Sequence, residues 1–499
     1  MTFPAPLRGR FSFPLPRLLH LQAGCGRLSP GMTEPKKGVV FVKIIIVGDG
    51  KVGAALTAQL SVEGHDITVI DTAKSVLSET QQSLDVSVVQ GNGATEKTQR
   101  LAGVEGSDLL IAATNADETN ILSCVVARRL GCKRTIARVR NPEYYDQFTR
   151  LKEELGLSMM INPEFSTAGE IFRLLQFPSF LKRDTFAKGR VEIVEVELQE
   201  DSPLCGTQLF QLRDKVKVKV LVCAVERGGE VTIPDGSFQL RAGDKVSFTA
   251  ASSDLAKLLR NLGLARRKIR DVLIVGGSRI AFYLAKNLLD TGVSVKLIEM
   301  DEAKCVELAD QLPKATIIHA DGSDKAILDS EGLAEMDAVV TLTDIDEENL
   351  IISMDANYLG TGKVITKINR TEYTDALAGK GVDTIVSPKD LCCVDIIRYV
   401  RAINNRKGES ALTLHRIVGD KAEALEFRAD GSLKQLGKPL SDLRLKPNIL
   451  LTCLTRRGKM IIPQGSDTIE KDDSVIVVAK SDRIINNLGE IFMDGGANP

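Results

Sequence analysis

Residues 44–75 read IIIVGDGKVGAALTAQLSVEGHDITVIDTAKS, and this stretch decides the fold. An apolar run rich in isoleucine ends at a glycine-rich turn, and a helical pattern follows the turn. A second apolar run, DITVID, then ends at Asp71. This order of strand, glycine loop, helix, strand and acidic residue predicts a Rossmann-like nucleotide clamp. Such a clamp serves either a chemical reaction or a switch, and the remaining sequence must decide between them.

Each glycine of the loop has its own physical role. The loop consists of Gly48, Asp49, Gly50, Lys51, Val52 and Gly53. The first glycine permits the tight turn, the second lets backbone N–H groups approach a pyrophosphate, and the third lets the helix pack closely on the strand. Asp71, 18 residues after Gly53, is placed to accept the ribose hydroxyls of an adenosine and to repel a 2′-phosphate. NAD(H) is therefore favoured over NADP(H), and the alternative is a turn kept for packing alone.

The chain contains two copies of the same pattern. Five residues of one stretch recur 229 positions later, and they are Asp108, Thr114, Asp117, Glu118 and Asn120, matched by Asp337, Thr343, Asp346, Glu347 and Asn349. Further on, Pro234, Gly236 and Asp244 recur at the same distance as Pro463, Gly465 and Asp473. Gly48 and Gly276 are 228 positions apart, so one insertion or deletion in each copy explains the drift. The sequence is a tandem duplication, and each copy contains two unlike parts.

The glycine loop of the second copy departs from the pattern. It consists of Gly276, Gly277, Ser278, Arg279, Ile280 and Ala281, and Glu299 follows at the position of Asp71. Ser278 carries a Cβ where the second glycine lets a pyrophosphate approach, although its hydroxyl can donate to a phosphate. We expect weaker or different nucleotide binding in this copy.

The fold class follows from the alternation of strand and helix patterns. In the larger part of copy one, short apolar runs at 42–47, 67–70, 86–89, 109–112 and 135–139 are separated by helical patterns. Such runs predict a parallel sheet covered on both faces, that is, an α/β Rossmann-like domain. The smaller part, from about 190 to 262, has alternating strand patterns and predicts a compact α+β module. The predicted divisions are an extension at 1–40, nucleotide domains at 41–185 and 267–405, and modules at 186–266 and 406–495.

Composition excludes several classes of protein. Lys and Arg number 65 against 66 Asp and Glu, so the net charge of -1 disfavours a nucleic-acid binder. No apolar stretch reaches the roughly 18 residues that cross a bilayer. The nine cysteines form no CxxC pair, which predicts reduced, buried cysteines of a cytosolic protein. The proline- and arginine-rich first forty residues predict a disordered extension, with Met32 as the candidate start of translation.

Residues for redox chemistry are lacking. The four histidines are predicted to lie on the surface or in loops, and they are His20, His65, His319 and His415. None of the six tyrosines has a lysine four residues later, and no Gly-x-Ser-x-Gly elbow or P-loop occurs. No separate substrate domain is evident either. A non-enzymatic switch is favoured, with an NAD-dependent oxidoreductase and a sensor acting on transcription as the alternatives.

Six stretches in the right order resemble the TrkA family of RCK (KTN) domains, which regulate K+ conductance. The carrying motifs are VKIIIVGDGKVG, HDITVID, VVQGNGA, ATNADETN, IARVRNPEY and IPDGSFQLRAGDKV. The resemblance extends from about Val42 to Phe492. It implies a tandem duplication of an RCK N-domain, which is Rossmann-like, followed each time by a small TrkA-C module.

The resemblance also implies the site residues. Gly48 to Val52 would cradle the pyrophosphate, Asp71 would hold the ribose, and Thr114, Asn115 and Arg138 would line the cleft. The matching residues of copy two are Gly276, Gly277, Ser278, Arg279, Ile280, Glu299, Thr343, Asp344 and Lys367. Asp344 in place of Asn115 and Lys367 in place of Arg138 change that second site.

The function that the resemblance implies is regulatory. The chain would be a cytosolic subunit of a Trk-type potassium uptake transporter, peripheral on the inner face of the membrane through the membrane-embedded K+-translocating subunit. Its ligands would be NAD(H) and adenine mononucleotides such as ATP or ADP, which alter the packing between domains. The domains would self-associate as a dimer or a tetrameric ring, with neither catalysis nor nucleic acid involved.

Overall fold

The computed structural model describes residues 42–262, 268–370, 382, 384–404, 411–418, 421–481, 485 and 487–493. The predicted extension at 1–40 lies outside the described residues, as do Met32, His20 and Cys25.

The first α/β domain contains one six-stranded sheet. Its strands are β1 (Lys43–Val47), β2 (Asp66–Asp71), β3 (Ser87–Gln90), β4 (Leu109–Ala112), β5 (Thr135–Arg138) and β6 (Met159–Ile161). Its helices are α1 (Lys51–Val62), α2 (Lys74–Ser83), α3 (Glu96–Leu101), α4 (Asp117–Arg129), α5 (Pro142–Leu151) and α6 (Pro163–Gln176). All strand pairs are parallel, and the order is β3-β2-β1-β4-β5-β6. The predicted parallel, Rossmann-like fold is confirmed.

Burial of β1 on both faces explains its unbroken apolar sequence. Ile44 and Ile46 belong to the core on one side of the sheet, whereas Ile45 and Val47 belong to the core on the other side. The three isoleucines have no exposed surface. A strand with two covered faces needs apolar residues at every position, which is the pattern that predicted it.

Two Asn-Pro pairs begin the last two helices of this domain. The side chain of Asn141 accepts a hydrogen bond from the backbone of Glu143, and the side chain of Asn162 accepts one from Phe165. An asparagine cap satisfies an N–H group that has no partner inside the helix, and the proline that follows has no N–H to satisfy. These local signals fix where α5 and α6 begin.

The first small module is an antiparallel sheet with two short helices. Its elements are β7 (Lys182–Phe186), β8 (Val191–Glu197), α7 (Leu212–Val216), β9 (Val220–Arg227), β10 (Glu230–Thr232), β11 (Lys245–Ala251) and α8 (Leu255–Asn261). The strand order is β10-β9-β11-β8-β7. The alternation of the sequence predicts β8 to β11, whereas β7, with the sequence KRDTF, carries no strand signal of its own.

The second half repeats both sheets. Its parallel sheet, in the order β14-β13-β12-β15-β16-β17, contains β12 (Asp271–Val275), β13 (Ser294–Glu299), β14 (Thr316–His319), β15 (Ala338–Thr341), β16 (Lys363–Lys367) and β17 (Ile385–Val386). Its helices are α9 (Arg279–Asp290), α10 (Glu302–Gln311), α11 (Lys325–Ser330), α12 (Asp346–Tyr358) and α13 (Pro388–Asn404). The second module, in the order β18-β19-β22-β20-β21, contains β18 (Thr413–Ile417), β19 (Ala422–Arg428), β20 (Ile449–Arg456), β21 (Lys459–Ile461) and β22 (Ser474–Lys480).

The two halves exchange their last nucleotide-domain helices. Ile171 and Leu174 of α6, which follows the first parallel sheet, are buried in the core of the second α/β domain beside α9. Ile396 and Val400 of α13, which follows the second sheet, are buried in the core of the first domain beside α1. Each α/β domain therefore completes its core with a helix from the other copy, so the two domains are coupled by burial of apolar surface.

The two small modules also pack against each other and share an apolar core. Their shared core includes Ile193 of the first module and Ile476 of the second. The Glu195 carboxylate accepts a hydrogen bond from the backbone of Val418, and the matching Glu426 accepts one from Ala187. Both carboxylates are buried, and these reciprocal bonds satisfy backbone donors that the interface would otherwise leave unpaired.

Among the described residues, no helix combines the length and the apolar character that crossing a membrane requires.

Candidate functional site: two glycine loops facing one cavity

The first glycine loop has the geometry that its glycines predict. Gly48 has φ of 94°, in the left-handed region that favours glycine, and its N–H donates to the Ile70 carbonyl across the sheet. A Cβ built on Gly53 would lie 1.8 Å from the Gly48 carbonyl oxygen, which no side chain tolerates. A Cβ built on Gly50 would meet nothing within 4 Å, so the space in front of that residue is open. The turn, the close packing and the open approach are thus assigned to three different glycines.

Helix α1 begins in this loop with unsatisfied donors. Gly50 is its N-cap, and no side chain caps the first turn. The first N–H groups of a helix have no partner within the helix, and the helix dipole makes this end positive. Open space in front of an uncapped, positive helix end suits an anionic group such as a pyrophosphate.

Asp71 closes the crevice at the end of β2. One carboxylate oxygen accepts the Asp49 N–H at 2.7 Å, and the other accepts the Ala73 N–H at 2.8 Å. These bonds fix the orientation of the carboxylate relative to the loop. A carboxylate has about four acceptor positions, so two remain for ribose hydroxyls.

Asp49 contributes a second carboxylate to the loop. Only 3% of this residue is exposed. One oxygen accepts a hydrogen bond from the Thr80 hydroxyl of α2 at 2.5 Å, and the other has no partner. Burial raises the pKa of Asp49, and the charges of Asp71 and Glu79 add to this effect while the Thr80 bond opposes it. The ionised form of Asp49 is consequently disfavoured in the folded protein.

We expect Asp49→Asn to raise the free energy of unfolding by about 1 kcal/mol near neutral pH. An acid whose pKa is raised on folding carries a penalty that is absent below its unfolded value of 3.8 and grows as the pH rises above it. The gain should therefore disappear as the pH falls to about 4. Urea unfolding of both proteins across this pH range measures the difference. Lower stability of the variant at neutral pH would contradict the assignment.

Asn120 positions the residues at the ends of β4 and β5, a role that sequence reasoning missed. Its side-chain oxygen accepts from the N–H and the hydroxyl of Thr114. Its amide donates to the carbonyls of Thr114 and Arg138. Asn349 makes the same four bonds, to Thr343 and Lys367. The repeat had already singled out Asn120 and Asn349 as a matched pair, and this was the only available signal.

Asn120→Ala should destabilise the protein by about 2–4 kcal/mol, because it leaves several buried polar groups unpaired. It should also weaken nucleotide binding at the first loop, because Thr114 and Arg138 lose their common support. Asn349→Ala is the matched control, since it should lower stability in the same range and leave the first loop unaffected. Thermal unfolding and nucleotide titration of both variants check this. Equal effects of the two variants on binding at the first loop would refute the assigned role.

The second loop repeats the first with altered chemistry. Gly276 has φ of 99°, and Glu299 accepts the Gly277 N–H at 2.7 Å and the Asp301 N–H at 2.9 Å, as Asp71 does in copy one. The Ser278 hydroxyl caps α9 by accepting the Ala281 N–H. One donor that would face a phosphate is therefore already bonded within the protein.

Lys367, the basic residue of the second crevice, is hydrogen-bonded to adjacent residues. Lys367 is 5% exposed, and its ammonium donates to the Thr343 carbonyl and to the Asp344 carboxylate. Arg138, the matching residue of copy one, has a buried Nε without a partner. Burial lowers the pKa of Arg138, and the charge of Arg140 adds to the effect. A buried guanidinium nitrogen without a partner favours an anionic ligand nearby, whereas the Lys367 ammonium is already bonded to the Asp344 carboxylate.

Residues next to both glycine loops line a single cavity of about 1160 Å³. From the first copy it is lined by Lys51, Val52, Asn115 and Arg138, and from the second by Gly277, Ser278, Arg279, Ile280, Asp344 and Lys367. The other basic residues in its wall are Arg140, Lys304 and Lys389, and the other acidic ones are Glu143, Glu164 and Glu307. Seven basic side chains face four acidic ones, so the cavity favours anionic ligands.

The prediction that the histidines lie on the surface or in loops was wrong for His415, which is part of a strand and partly buried, whereas His65 does lie in a loop. His65 is buried between α1 and β2, and burial lowers its pKa. Nδ1 of His415, on β18, lies 2.6 Å from an oxygen of the Asp184 carboxylate across the interface of the small modules. Of the eight cysteines in the described part of the chain, seven are buried and Cys205 is partly exposed. Within that same part, no group of three or more His, Cys, Asp or Glu side chains is placed to hold a metal ion.

Fold and crevices together define a pair of tandem Rossmann-like domains, each followed by a small antiparallel module. The family model of the TrkA-N domain matches residues 44–163 and 272–388, and that of the TrkA-C domain matches 193–263 and 426–492. The chain is 33% identical over 455 residues to "Trk system potassium uptake protein TrkA homolog 2" of Methanosarcina mazei, covering 89% of this chain and 98% of the relative. It is 33% identical to the TrkA protein of Halomonas elongata over 460 residues, with 91% and 99% covered. The chain belongs to the TrkA family.

Solved structures share the fold. The GsuK channel superposes with a TM-score of 0.59 at 18% identity, over 90% of this chain and 78% of the channel chain. The structure described as the GsuK channel bound to NAD gives 0.58 at 17% identity, with 91% and 79% covered. The GsuK RCK domain gives 0.58 at 18% identity, with 91% and 96% covered. At this identity the likeness concerns the fold alone.

Proposed function

We propose that this chain is the nucleotide-sensing regulatory subunit of a Trk-type potassium uptake system. The observation that carries the proposal is the single basic cavity that residues next to both glycine loops line, between two domains that exchange helices. Membership of the TrkA family and the potassium uptake relatives support the transport role. The chain would act in the cytoplasm, at the inner face of the membrane, through a membrane-embedded K+-translocating subunit.

NAD(H) fits the first crevice. Gly50 and the uncapped end of α1 would receive the pyrophosphate, with Gly48 and Gly53 shaping the turn and Lys51 and Val52 beginning the helix. Asp71 would accept the ribose hydroxyls and disfavour a 2′-phosphate. Arg138 and the adjacent Thr114 and Asn115 would line the phosphate side. In this proposal the signal is whether NAD(H) is bound in the first crevice, and no electrons are transferred.

The second crevice would bind adenine nucleotides less tightly. Glu299 keeps the ribose-type acid, and Arg279 and Lys304 supply positive charge to the cavity. The Ser278 hydroxyl and the Lys367 ammonium, however, are already bonded to Ala281 and Asp344. ATP or ADP, whose phosphates would reach the cavity, are the ligands that we assign to this copy.

Because the two domains share one cavity, a nucleotide bound there would change how the domains pack against each other. Phosphates placed among seven basic groups remove repulsion between the two domains and draw them together. A ligand shifts an equilibrium between two arrangements only by its difference in affinity for them. A tenfold shift needs about 1.4 kcal/mol, which a few phosphate contacts provide. Self-association into a dimer or a tetrameric ring would transmit that change to the transporter.

The decisive experiment reconstitutes this chain with its membrane partner in vesicles and measures K+ flux as NADH, NAD+, ATP and ADP are varied. Nucleotide-dependent flux that requires this chain is the expected result. Flux that is independent of every nucleotide would defeat the proposal. Steady consumption of NADH by the purified chain with keto acids would favour the oxidoreductase alternative.

A further inference from the structure

A buried ionic cluster lies at the far end of the first nucleotide helix. Glu63 is the C-cap of α1, and its carboxylate binds the Arg401 guanidinium of α13 through Nε and the terminal nitrogen, the shortest distance being 2.6 Å. The other terminal nitrogen of Arg401 lies 3.5 Å from the Glu423 carboxylate of β19. The three side chains are 4–8% exposed. One guanidinium thus joins the first nucleotide domain to the second small module.

Two further side chains lie beside this cluster, and one of them adds a hydrogen bond between the same two parts of the protein. Arg416 of β18 donates to the Gln59 side chain of α1 at 2.6 Å. His65 lies 3.8 Å from Glu63, and its pKa is lowered because burial outweighs the attraction of that carboxylate. Burial lowers the pKa of Arg401, but its bonds to Glu63 and Glu423 outweigh burial and raise it, so the guanidinium stays charged.

Helix α1 connects this cluster to the glycine loop. The helix has 12 residues, which corresponds to a length of about 18 Å. Its N-terminal end forms the crevice at Gly50, and its C-terminal end is held at Glu63. A rigid element that is fixed at both ends transfers a movement at one end to the other.

The matching positions of the other copy keep only one member of this cluster, the glutamate that corresponds to Glu423. Counting along the matched elements, Glu63 corresponds to Thr291, His65 to Val293 and Gln59 to Asn287. On the opposing elements, Arg401 corresponds to Gln176, which is exposed at the end of α6, and Arg416 corresponds to Thr185. Glu192, the counterpart of Glu423, binds Arg183 of its own module instead. The loop with three glycines is therefore the one that is tied to the opposite module.

We propose that Arg401 is the positioning residue that couples nucleotide occupancy of the first loop to the second small module, and that the second loop has no equivalent connection. This inference rests on the proposed function, because it assumes that the first loop binds a nucleotide. It makes the duplicated chain asymmetric: the first crevice carries the signal and the second modulates it.

The test compares Arg401→Met with its counterpart Gln176→Met in the full chain. Amide hydrogen exchange is measured with and without saturating NADH, in peptides that cover α13 and β19. In the wild type and in Gln176→Met, NADH should change exchange in these peptides. In Arg401→Met that change should fall by about fivefold or more, while exchange at the glycine loop still responds to NADH. A general loss of stability would alter exchange with and without NADH alike, so it would not mimic this result.

Arg401→Lys is a second variant that keeps the test informative if Arg401→Met does not fold. It keeps the buried charge, but one ammonium cannot replace a planar fork that reaches two carboxylates. A response in β19 that is reduced in the lysine variant supports the coupling. An undiminished response in Arg401→Lys and Arg401→Met overturns it and leaves the proposed function standing. Absence of any NADH effect at the wild-type glycine loop overturns both.

Discussion

Asp71→Ala should weaken NADH binding at the first loop roughly 10- to 100-fold, because a charge-assisted hydrogen bond contributes about 1.5–3 kcal/mol. The carboxylate is held by the N–H groups of Asp49 and Ala73, so it is already oriented before a ribose arrives. Removing it deprives the ligand of an acceptor and deprives the loop of its anchor. Isothermal titration calorimetry of the purified chain measures the affinity.

Two control variants separate these effects. Asp71→Asn keeps the volume but loses the charge and one of the two oxygens that accept the Asp49 and Ala73 N–H groups, so affinity should fall while the loop is disturbed less than in Asp71→Ala. Glu299→Ala makes the same change in the second copy, where Glu299 holds Gly277 and Asp301, and should leave NADH binding at the first loop unchanged. NADH affinity that is unchanged in Asp71→Ala would show that the ribose does not bind at the end of β2.

Local signals made much of the fold predictable. The five apolar runs of the first copy correspond to β1 to β5, because a strand that is buried on both faces must be apolar throughout. Strand β6 was missed because its three residues, Met159 to Ile161, are too few to show a periodic pattern of hydrophobic residues. Strand β7 was missed because four of the five residues of KRDTF are polar, including Asp184, which is buried against His415 of the other module.

The glycine loops were predictable for the same reason. A tight turn, a close helix contact and an open approach each impose a local requirement that only glycine meets. Asp71 and Glu299 were predictable from their spacing. The support given by Asn120 was not, because an asparagine in a helix carries no sign that it bridges two strand ends.

Relations between the copies could not be predicted from the sequence. Glu63 and Arg401 are 338 residues apart, and each is an ordinary charged residue of a helix end. The exchange of α6 and α13 has the same origin, since an amphipathic helix shows that it needs an apolar partner but not which domain provides it. Duplication conceals such contacts. An alignment of the two copies pairs equivalent positions, whereas the contacts in the structure join positions that are not equivalent.

The differences between the two copies nevertheless favour tighter nucleotide binding in the first copy. Copy one keeps its three glycines, an Arg138 whose buried Nε has no partner, and the Glu63 connection. Copy two has Ser278 in place of the second glycine, and Lys367 is bonded to Asp344. A duplicated pair that shares one cavity needs only one strong site to set the arrangement, and the second site is then free to respond to another ligand.

Gly53→Ala should abolish NADH binding at the first loop and lower the free energy of unfolding by about 3 kcal/mol or more. The added methyl group would lie 1.8 Å from the Gly48 carbonyl oxygen, and a backbone atom cannot rotate away as a side chain can. The loop and α1 must therefore separate, which opens the crevice and displaces the donors. Ala281→Gly is the reverse change in copy two, and it should lower stability by about 1–2 kcal/mol, because glycine has a lower helix propensity and the buried methyl group of Ala281 is lost. Thermal unfolding and NADH titration measure both variants.

Gly50→Ala is the matched variant that isolates binding from folding. Gly50 has φ of −76° and open space around its missing side chain, so alanine fits the backbone and changes stability by no more than about 1 kcal/mol. The methyl group would occupy the space through which a pyrophosphate reaches the end of α1, so NADH affinity should fall at least tenfold, or about 1.4 kcal/mol. A stable Gly50→Ala protein that binds NADH as the wild type does would place the phosphates elsewhere, because steric exclusion at this position does not depend on charge, salt or pH.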